Sequence, residues 1–153
     1  MKTARMNSYI ACCDACLDDL YRMVFLCFGN ADVAAKLLRQ VCVAGAQTYR
    51  GWQNIRTTKI SLTSSLFREC QNHLSSVDPN EMNLPPVLHG ISGQTRLLLA
   101  LRFASGLTSA EAQKASGMSK KEFFTALRAF CPGQRPLGPC LSGHLAQTQR
   151  PPN

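Results

Sequence analysis

Two helix-capping motifs, eleven residues apart in the C-terminal half, constrain the fold of this chain more than any other feature. Thr108 pairs with Glu111 and Ser119 pairs with Glu122, and both pairs have the Ser/Thr-x-x-Glu spacing of a capping box. In a capping box each side chain accepts a hydrogen bond from an otherwise unpaired backbone N–H at the start of a helix. The sequence therefore predicts one helix from Ser109 and a second helix directly after Ser119.

Glycines mark the ends of the helices around these motifs. Leucines recur at helical spacing up to Ala104, and the pattern stops before Gly106, where a helix is expected to have just ended. Gly117 ends the next helix after about two turns. Residues 94–130 are thus predicted to form three short helices, with a turn at 116–118 between the last two.

This arrangement matches a helix-turn-helix, in which the second helix enters the major groove of DNA. An ordinary helical hairpin is the alternative. In the last helix Phe123, Leu127 and Phe130 share one face, which leaves the remaining surface free for DNA. The residues predicted to contact DNA are Ser119, Lys120, Lys121, Phe124, Thr125 and Arg128.

The chain carries a formal charge of +8, from 17 Lys and Arg against 9 Asp and Glu. A basic surface favours a polyanionic partner such as nucleic acid, although basic side chains also serve simply to keep a surface hydrated. The N-terminal segment lacks the apolar core of a signal peptide. No apolar run approaches the roughly 18 residues of a membrane span, so we expect a cytoplasmic protein whose cysteines are reduced.

Three longer helices are predicted in the N-terminal half, each from an apolar stripe at helical spacing. The first covers about residues 8–28 and is expected to bury Ile10, Cys13, Leu17, Leu20, Val24 and Cys27. The second, capped by Asp32, is expected to bury Ala34, Leu37, Val41, Gly45 and Thr48. The third, opened by Ser61, is expected to bury Leu62, Leu66, Cys70 and either His73 or Leu74.

The segment between the second and third helices, residues 49–59, interleaves aromatic and basic side chains. Aromatic rings can stack on unpaired bases while cations follow the phosphates, so this segment is a candidate site for single-stranded nucleic acid. The alternative is a surface loop in which Trp52 fills the helical core. The candidate contacts are Tyr49, Arg50, Trp52, Arg56 and Lys59.

A polar, proline-containing segment, residues 75–83, is predicted to be a flexible linker between the two halves. We therefore expect an all-α protein with one helical domain in residues 1–74 and a helix-turn-helix domain in residues 84–130. Residues 131–153 are rich in proline and glycine and are expected to be disordered.

The C-terminal motifs resemble those of a known family. Residues 97–127, LLLALRFASGLTSAEAQKASGMSKKEFFTAL, are similar to the fourth conserved region of bacterial sigma factors of the extracytoplasmic-function type. In that region a leucine-rich helix leads into GL[ST]-x-x-E and then into G-[MI]-S before the recognition helix. LPP at residues 84–86 lies where the family often begins this domain. The resemblance implies a promoter-recognition subunit of RNA polymerase.

The N-terminal half resembles the second conserved region of the same family, although less closely. There a helix bearing Leu-Tyr-Arg, here residues 20–22, precedes a helix that binds the polymerase clamp, and a later helix captures melted promoter DNA. LTSSLFRECQNHL, residues 62–74, matches the later helix. The family's clamp-binding helix normally reads like DAEDLVQETF, so an acidic face has become basic in this chain. The residues that the resemblance assigns to polymerase binding are Lys36, Leu37, Arg39 and Gln40.

Together these resemblances imply a sigma factor that directs RNA polymerase to promoter DNA and needs no cofactor. Its expected partners are promoter DNA and core RNA polymerase, and an anti-sigma factor is a further candidate partner. The alternative is a degenerate relative, either a DNA-binding regulator or a protein-interaction adaptor, that does not direct polymerase. The charge of the clamp-binding face distinguishes the sigma factor from the degenerate relative, because a basic face in place of the family's acidic face alters docking on the polymerase.

No catalytic or metal site is predicted. Cys13 and Cys16 have CxxC spacing, but no second pair completes a metal site, and both thiols fall on an apolar stripe. Cys131, Cys140 and His144 are irregularly spaced in the C-terminal segment and form only a weak metal candidate. The histidines have no nucleophile or carboxylate at motif spacing, so an enzyme is not expected.

Overall fold

A computed structural model describes residues 2–51 and 53–130, and every regular element in this part of the chain is helical. The six α-helices are α1 (Lys2–Phe28), α2 (Ala31–Thr48), α3 (Ile55–Leu74), α4 (Gly93–Phe103), α5 (Ser109–Ser116) and α6 (Lys120–Ala129). Two short 3₁₀ turns, Pro79–Glu81 and Pro86–Leu88, lie between α3 and α4. The prediction of an all-α fold is confirmed. Residues 131–153, with the predicted disordered segment and the weak metal candidate, lie outside the described residues.

The long helix α1 supplies the centre of the core and packs against α2, α3 and α4. Leu20, Val24 and Cys27 are fully buried, as their spacing predicts. Ile10 and Leu17, also predicted to be buried, are 48% and 41% exposed. The reason is that α1 is apolar over a broad arc, and the other helices cover only one side of that arc. The residues that occupy the core instead are Tyr9, Cys12, Cys16 and Met23.

Asparagine side chains begin α2 and α3. Asn30 accepts a hydrogen bond from the backbone N–H of Asp32 at 2.9 Å, so Asn30 caps α2 in place of the predicted Asp32. Asn54 accepts the backbone N–H of Thr57 at 2.7 Å and starts α3 well before the predicted Ser61. An Asn cap satisfies a first-turn donor that the apolar pattern alone does not reveal.

Both predicted capping boxes are present in the C-terminal half. The Thr108 hydroxyl accepts the backbone N–H of Glu111 at 3.2 Å, and the Glu111 carboxylate accepts the backbone N–H of Thr108 at 2.9 Å. Ser119 and Glu122 make the same exchange at the start of α6. The predicted starts of α5 and α6 are therefore confirmed.

The C-terminal helices pack directly on the N-terminal helices. Helix α4 lies against α1 and α3, and α5 lies against α3. Leu97 and Leu101 of α4 and Ala112 of α5 belong to the same buried cluster as the core residues of α1. The prediction of two separate domains is not confirmed, because one hydrophobic cluster joins the two halves of the described chain.

The segment predicted to be a flexible linker, residues 75–83, also contacts the helices. Val77 and Met82 are partly buried against the core. The guanidinium of Arg96 on α4 lies 3.3 Å from Met82 Sδ and donates a hydrogen bond to the carbonyl of Cys27 at 3.0 Å. Arg96 thereby connects α4 and this segment to the C-terminal end of α1, where carbonyl groups lack partners within the helix. A free linker is not confirmed.

An ion pair joins α1 and α3 beneath the turn between α4 and α5. Lys59 Nζ on α3 lies 2.5 Å from Asp19 Oδ2 on α1, and the lysine side chain is almost fully buried. Gly106 passes over this pair with φ of +74°, a conformation that favours glycine. A Cβ at position 106 would lie 2.6 Å from both Asp19 Oδ2 and Lys59 Nζ. The close approach of the turn to the ion pair therefore requires glycine.

We predict that Gly106→Ala destabilises the protein more than Gly117→Ala does. The two glycines have nearly equal φ values, 74° and 73°, so the left-handed conformation costs each alanine variant about 1–2 kcal/mol. A methyl group at position 117 meets no atom within 4 Å, whereas one at position 106 displaces the ion pair and costs about 1–3 kcal/mol more. Urea unfolding of the two variants measures the difference. Equal losses of stability would contradict the close packing of the turn.

The shared core predicts that all the described helices unfold together. Leu101 is fully buried, so Leu101→Ala should lower the free energy of unfolding by about 2–5 kcal/mol. Phe103, on the same helix, is 73% exposed, and Phe103→Ala should change it by no more than about 0.5 kcal/mol.

Two optical signals can check this cooperativity in Leu101→Ala. Fluorescence reports the N-terminal half, which contains every Trp and Tyr of the chain, and circular dichroism reports all of the helices. The two signals should change in one transition. Separate transitions would support two independently folding halves.

Candidate nucleic-acid interface

Local hydrogen bonds hold the turn between α5 and α6. Gly117, directly after α5, is left-handed with φ of 73°. The side chain of Gln113 donates to the carbonyl of Met118 at 2.6 Å, and the N–H of Met118 donates to the Ser116 hydroxyl at 3.1 Å. These bonds fix the path of the chain from α5 to α6. Because Ser116 remains in α5, the turn begins one residue later than predicted.

One aromatic side chain anchors α6 to the core. Phe123 is fully buried, and Met118 and Leu127 pack partly against the same cluster. Helix α6 contacts both α4 and α5. Because the anchoring residues lie on one side of α6, the other side of the helix remains on the surface.

Four of the side chains predicted to contact DNA lie on this exposed side of α6. They are Lys120, Lys121, Thr125 and Arg128. None of the three cations forms an ion pair with a residue of the described ranges. The α6 surface therefore presents three cations that form no ion pair with the described acids.

The other two residues of the predicted set make contacts within the protein. Ser119 is exposed, but its hydroxyl accepts the N–H of Glu122 at 3.2 Å in the helix cap. Phe124 is half-buried, and its ring meets the ring of Phe123 edge-on with centroids 5.3 Å apart. Phe124 thus packs partly against the core, and its role as a DNA contact stays a prediction.

Tyr49, predicted to stack on unpaired bases, is a core residue in the structure. It is buried, and its ring centroid lies 5.2 Å from that of Tyr9 on α1. Its hydroxyl donates to the carbonyl of Gln53 at 3.3 Å. A base cannot reach this ring while α1 covers it, so the structure does not support stacking on Tyr49. Trp52, the other predicted stacking residue, lies outside the described residues.

The three cations of the same segment have different surroundings. Arg50 is exposed and has no acidic partner in the described ranges. The guanidinium of Arg56 binds both carboxylate oxygens of Glu111 on α5, with Nε 2.6 Å from Oε2 and Nη2 bound to Oε1. Lys59 is held in its buried pair with Asp19. Lys59 therefore stabilises the fold, which corrects its predicted role as a contact to single-stranded DNA.

The residues predicted to bind polymerase divide between two sides of α2. Lys36, Arg39 and Gln40 are exposed. Leu37 is buried in the core, so it is not available to a partner, contrary to the prediction. Only the polar and charged members of this set lie on the surface.

An apolar groove of about 450 Å³ adjoins this basic surface, between α1 and α2. Leu17 and Tyr21 line the groove from α1, and Leu38 and Cys42 line it from α2, with Arg39 beside them. Leu17 and Tyr21 are both partly exposed. Exposed apolar side chains grouped in this way are typical of surfaces that bind other proteins.

The described cysteines are packing residues. All six of them are free thiols. Burial raises the pKa of Cys16 to about 11 and that of Cys27 to about 12, so both thiols are protonated at neutral pH and are poor nucleophiles. Cys16 is buried, as its position on the apolar stripe predicts, whereas Cys13 is only partly buried.

The sequence reasoning missed the second role of Glu111. The capping motif predicts Glu111 only as a helix cap, but its carboxylate also neutralises Arg56, 55 residues away along the chain. The hydrogen bonds from Arg56 and from the backbone of Thr108 lower the pKa of Glu111 to about 2. No local sequence motif predicts a contact between residues so far apart in the chain. The only sequence signal for this contact was the small number of acids in a basic chain.

Comparisons of the chain with models of protein families, with curated proteins and with solved structures found no match. Within residues 2–51 and 53–130, no helix has both the length and the apolar character that crossing a membrane requires. The resemblance to extracytoplasmic-function sigma factors stays a prediction from sequence motifs.

Proposed function

We propose that this protein binds duplex DNA through α6 and acts in transcription initiation, the role implied by the sigma-factor resemblance. The observation that carries the proposal is the exposed side of α6, where Lys120, Lys121 and Arg128 have no acidic partner among the described residues. In helix-turn-helix proteins the second helix lies in the major groove, and its cations meet phosphates and base edges. Thr125 offers a hydroxyl to a base edge on the same side.

The way α6 is held supports the same proposal. Its capping box fixes the first turn, and Phe123 anchors the helix in the core. The backbone of a fixed helix loses less conformational freedom on binding than the backbone of a loop, so less of the binding energy is lost to ordering. The first turn of a helix also carries partial positive charge, which favours a nearby phosphate.

The more specific proposal is that the protein is a sigma factor that brings core RNA polymerase to a promoter. It is supported by the motif resemblance and by the groove between α1 and α2, which offers apolar contacts beside Arg39, while Lys36 is exposed on the same helix. A matching polymerase surface would carry acids opposite these two cations.

A second candidate function is a DNA-binding regulator or adaptor that does not direct polymerase. It is favoured by the basic surface of α2, where the sigma family normally has acids. The burial of Tyr49 and Lys59 also favours it, because two of the contacts predicted for melted promoter DNA are then unavailable. Such a protein would still bind duplex DNA through α6.

Removing the three cations of α6 tests the proposed DNA contact. The variant Lys120→Ala/Lys121→Ala/Arg128→Ala should weaken binding to a duplex by at least about tenfold near physiological salt. The slope of log affinity against log salt concentration should also decrease in magnitude by about 2–3. Fluorescence anisotropy with a labelled mixed-sequence duplex measures both quantities.

A triple variant elsewhere on the surface provides the control. Lys2→Ala/Lys36→Ala/Arg39→Ala also removes three exposed cations, so it changes the net charge equally. Its affinity for the duplex should fall much less than that of the α6 variant, because its cations are not part of the contact. Equal losses in the two variants would show that α6 is no special contact, and no loss in the α6 variant would exclude it from the interface.

Reversing charge on α2 tests the sigma-factor role. If core polymerase from the native source matches the basic surface, Lys36→Asp/Gln40→Glu should weaken its binding by at least about tenfold, because attraction becomes repulsion. Arg68→Asp/Asn72→Asp on α3 makes the same charge change at the same helical spacing and serves as the control.

The other outcomes of this test favour different partners. Tighter binding of the α2 variant would indicate a polymerase that accepts the acidic surface of ordinary family members, and this protein would then be a degenerate relative. Absence of binding by the unmodified protein would contradict the sigma-factor role and leave the DNA-binding regulator.

A further inference from the structure

The beginning of α3 has the properties of a phosphate-binding site. Arg56 is the second residue of the helix, and the first turn contains no acid. The backbone N–H groups of a first helical turn carry partial positive charge and attract anions, and in α3 the Asn54 side chain already accepts one of them, the N–H of Thr57. Arg50 is exposed just before the helix, and the side chain of Arg5 lies against the backbone of Gly51. Arg50 and Arg56 therefore add positive charge close to the start of α3.

A carboxylate from α5 already occupies this site. Glu111 binds Arg56 through both of its oxygens, in the paired arrangement by which arginine also binds phosphate. The only anion at Arg56 in the described chain is thus a side chain that belongs to the C-terminal half. This arrangement shows that the guanidinium can bind an anionic group at this position.

Replacing this carboxylate by another anion does not require the fold to open. The side chains of Arg56 and Glu111 are 47% and 18% exposed, so solvent and ions can reach the pair. Glu111 also accepts the N–H of Thr108 at 2.9 Å, so the helix cap would hold the carboxylate after Arg56 had left it. The pair of Lys59 with Asp19 differs, because Gly106 covers it.

We propose that Glu111 competes, within the same chain, with a nucleic-acid phosphate for Arg56. The contact between α5 and α3 then restrains nucleic-acid binding at the start of α3 until a phosphate displaces the carboxylate. This inference rests on the proposed function, since nucleic acid must bind the protein for the competition to matter. It assigns Glu111 a regulatory role in addition to capping α5.

The variant Glu111→Gln removes the competing charge and preserves the cap, because glutamine also serves at this position of a capping box. It should bind a single-stranded deoxythymidine oligonucleotide about three- to fivefold more tightly at low salt, the range expected when one exposed ion pair is released. The gain should shrink as salt screens the charges. Fluorescence anisotropy of the labelled oligonucleotide measures the affinity.

The chain offers a closely matched control. Glu81→Gln changes the same residue type and makes the same change of net charge, but Glu81 is exposed outside α6 and has no cationic partner among the described residues. Its affinity for the oligonucleotide should change by less than about twofold. An equal gain in the two variants would overturn the inference, because net charge alone would then explain the effect.

Arg56→Gln provides the second measurement. In the Glu111→Gln background, this substitution should abolish the gain in affinity for the oligonucleotide. In the unmodified chain it should lower the affinity by a smaller factor, because Glu111 already occupies Arg56 there. A gain that persists without Arg56 would also overturn the inference. If the oligonucleotide binds no variant while α6-dependent duplex binding is intact, only this inference fails. If neither nucleic acid binds, the proposed function fails with it.

Discussion

The buried side of α1 is the constraint on which the rest of the fold depends. Leu20, Met23, Val24 and Cys27 are inaccessible to solvent, and α1 packs against α2, α3 and α4. The burial of these apolar side chains is the main source of stability in a chain whose cysteines form no disulfide within the described residues. Because α1 contacts α4, it also positions the C-terminal helices. Helix α6 is held by α4 and α5 on one side and is free on the other side.

The parts of the fold that the sequence predicts well are set by residues close together in the chain. The two capping boxes each involve residues three positions apart, and both helix starts are confirmed. The side of α1 that becomes buried is a different case. Ile10 and Leu20 belong to one apolar stripe, yet only Leu20 is in the core. Helical spacing shows that a side is apolar, but the packing partners decide which part of it is covered.

The same distinction separates the predicted site residues that are exposed from those that are buried. The exposure of Lys120 and Lys121 follows from the position of Phe123, which is three residues or fewer away. The burial of Tyr49 depends on Tyr9, and the burial of Lys59 depends on Asp19, 40 residues distant. In a chain with 17 basic and 9 acidic residues, the fold decides which cations find acids and which remain available. The sequence pattern cannot supply that assignment.

Contact between the exposed side of α6 and duplex DNA, which we propose, can be tested directly by an NMR titration. Amide resonances of the isotope-labelled protein are followed while a mixed-sequence duplex is added. DNA binding through α6 should give the largest shifts in α6, at Lys120, Lys121, Thr125 and Arg128, with little change in the buried residues of α1. Shifts confined to α2 or to residues 49–59, or no shifts at a saturating DNA concentration, would contradict it.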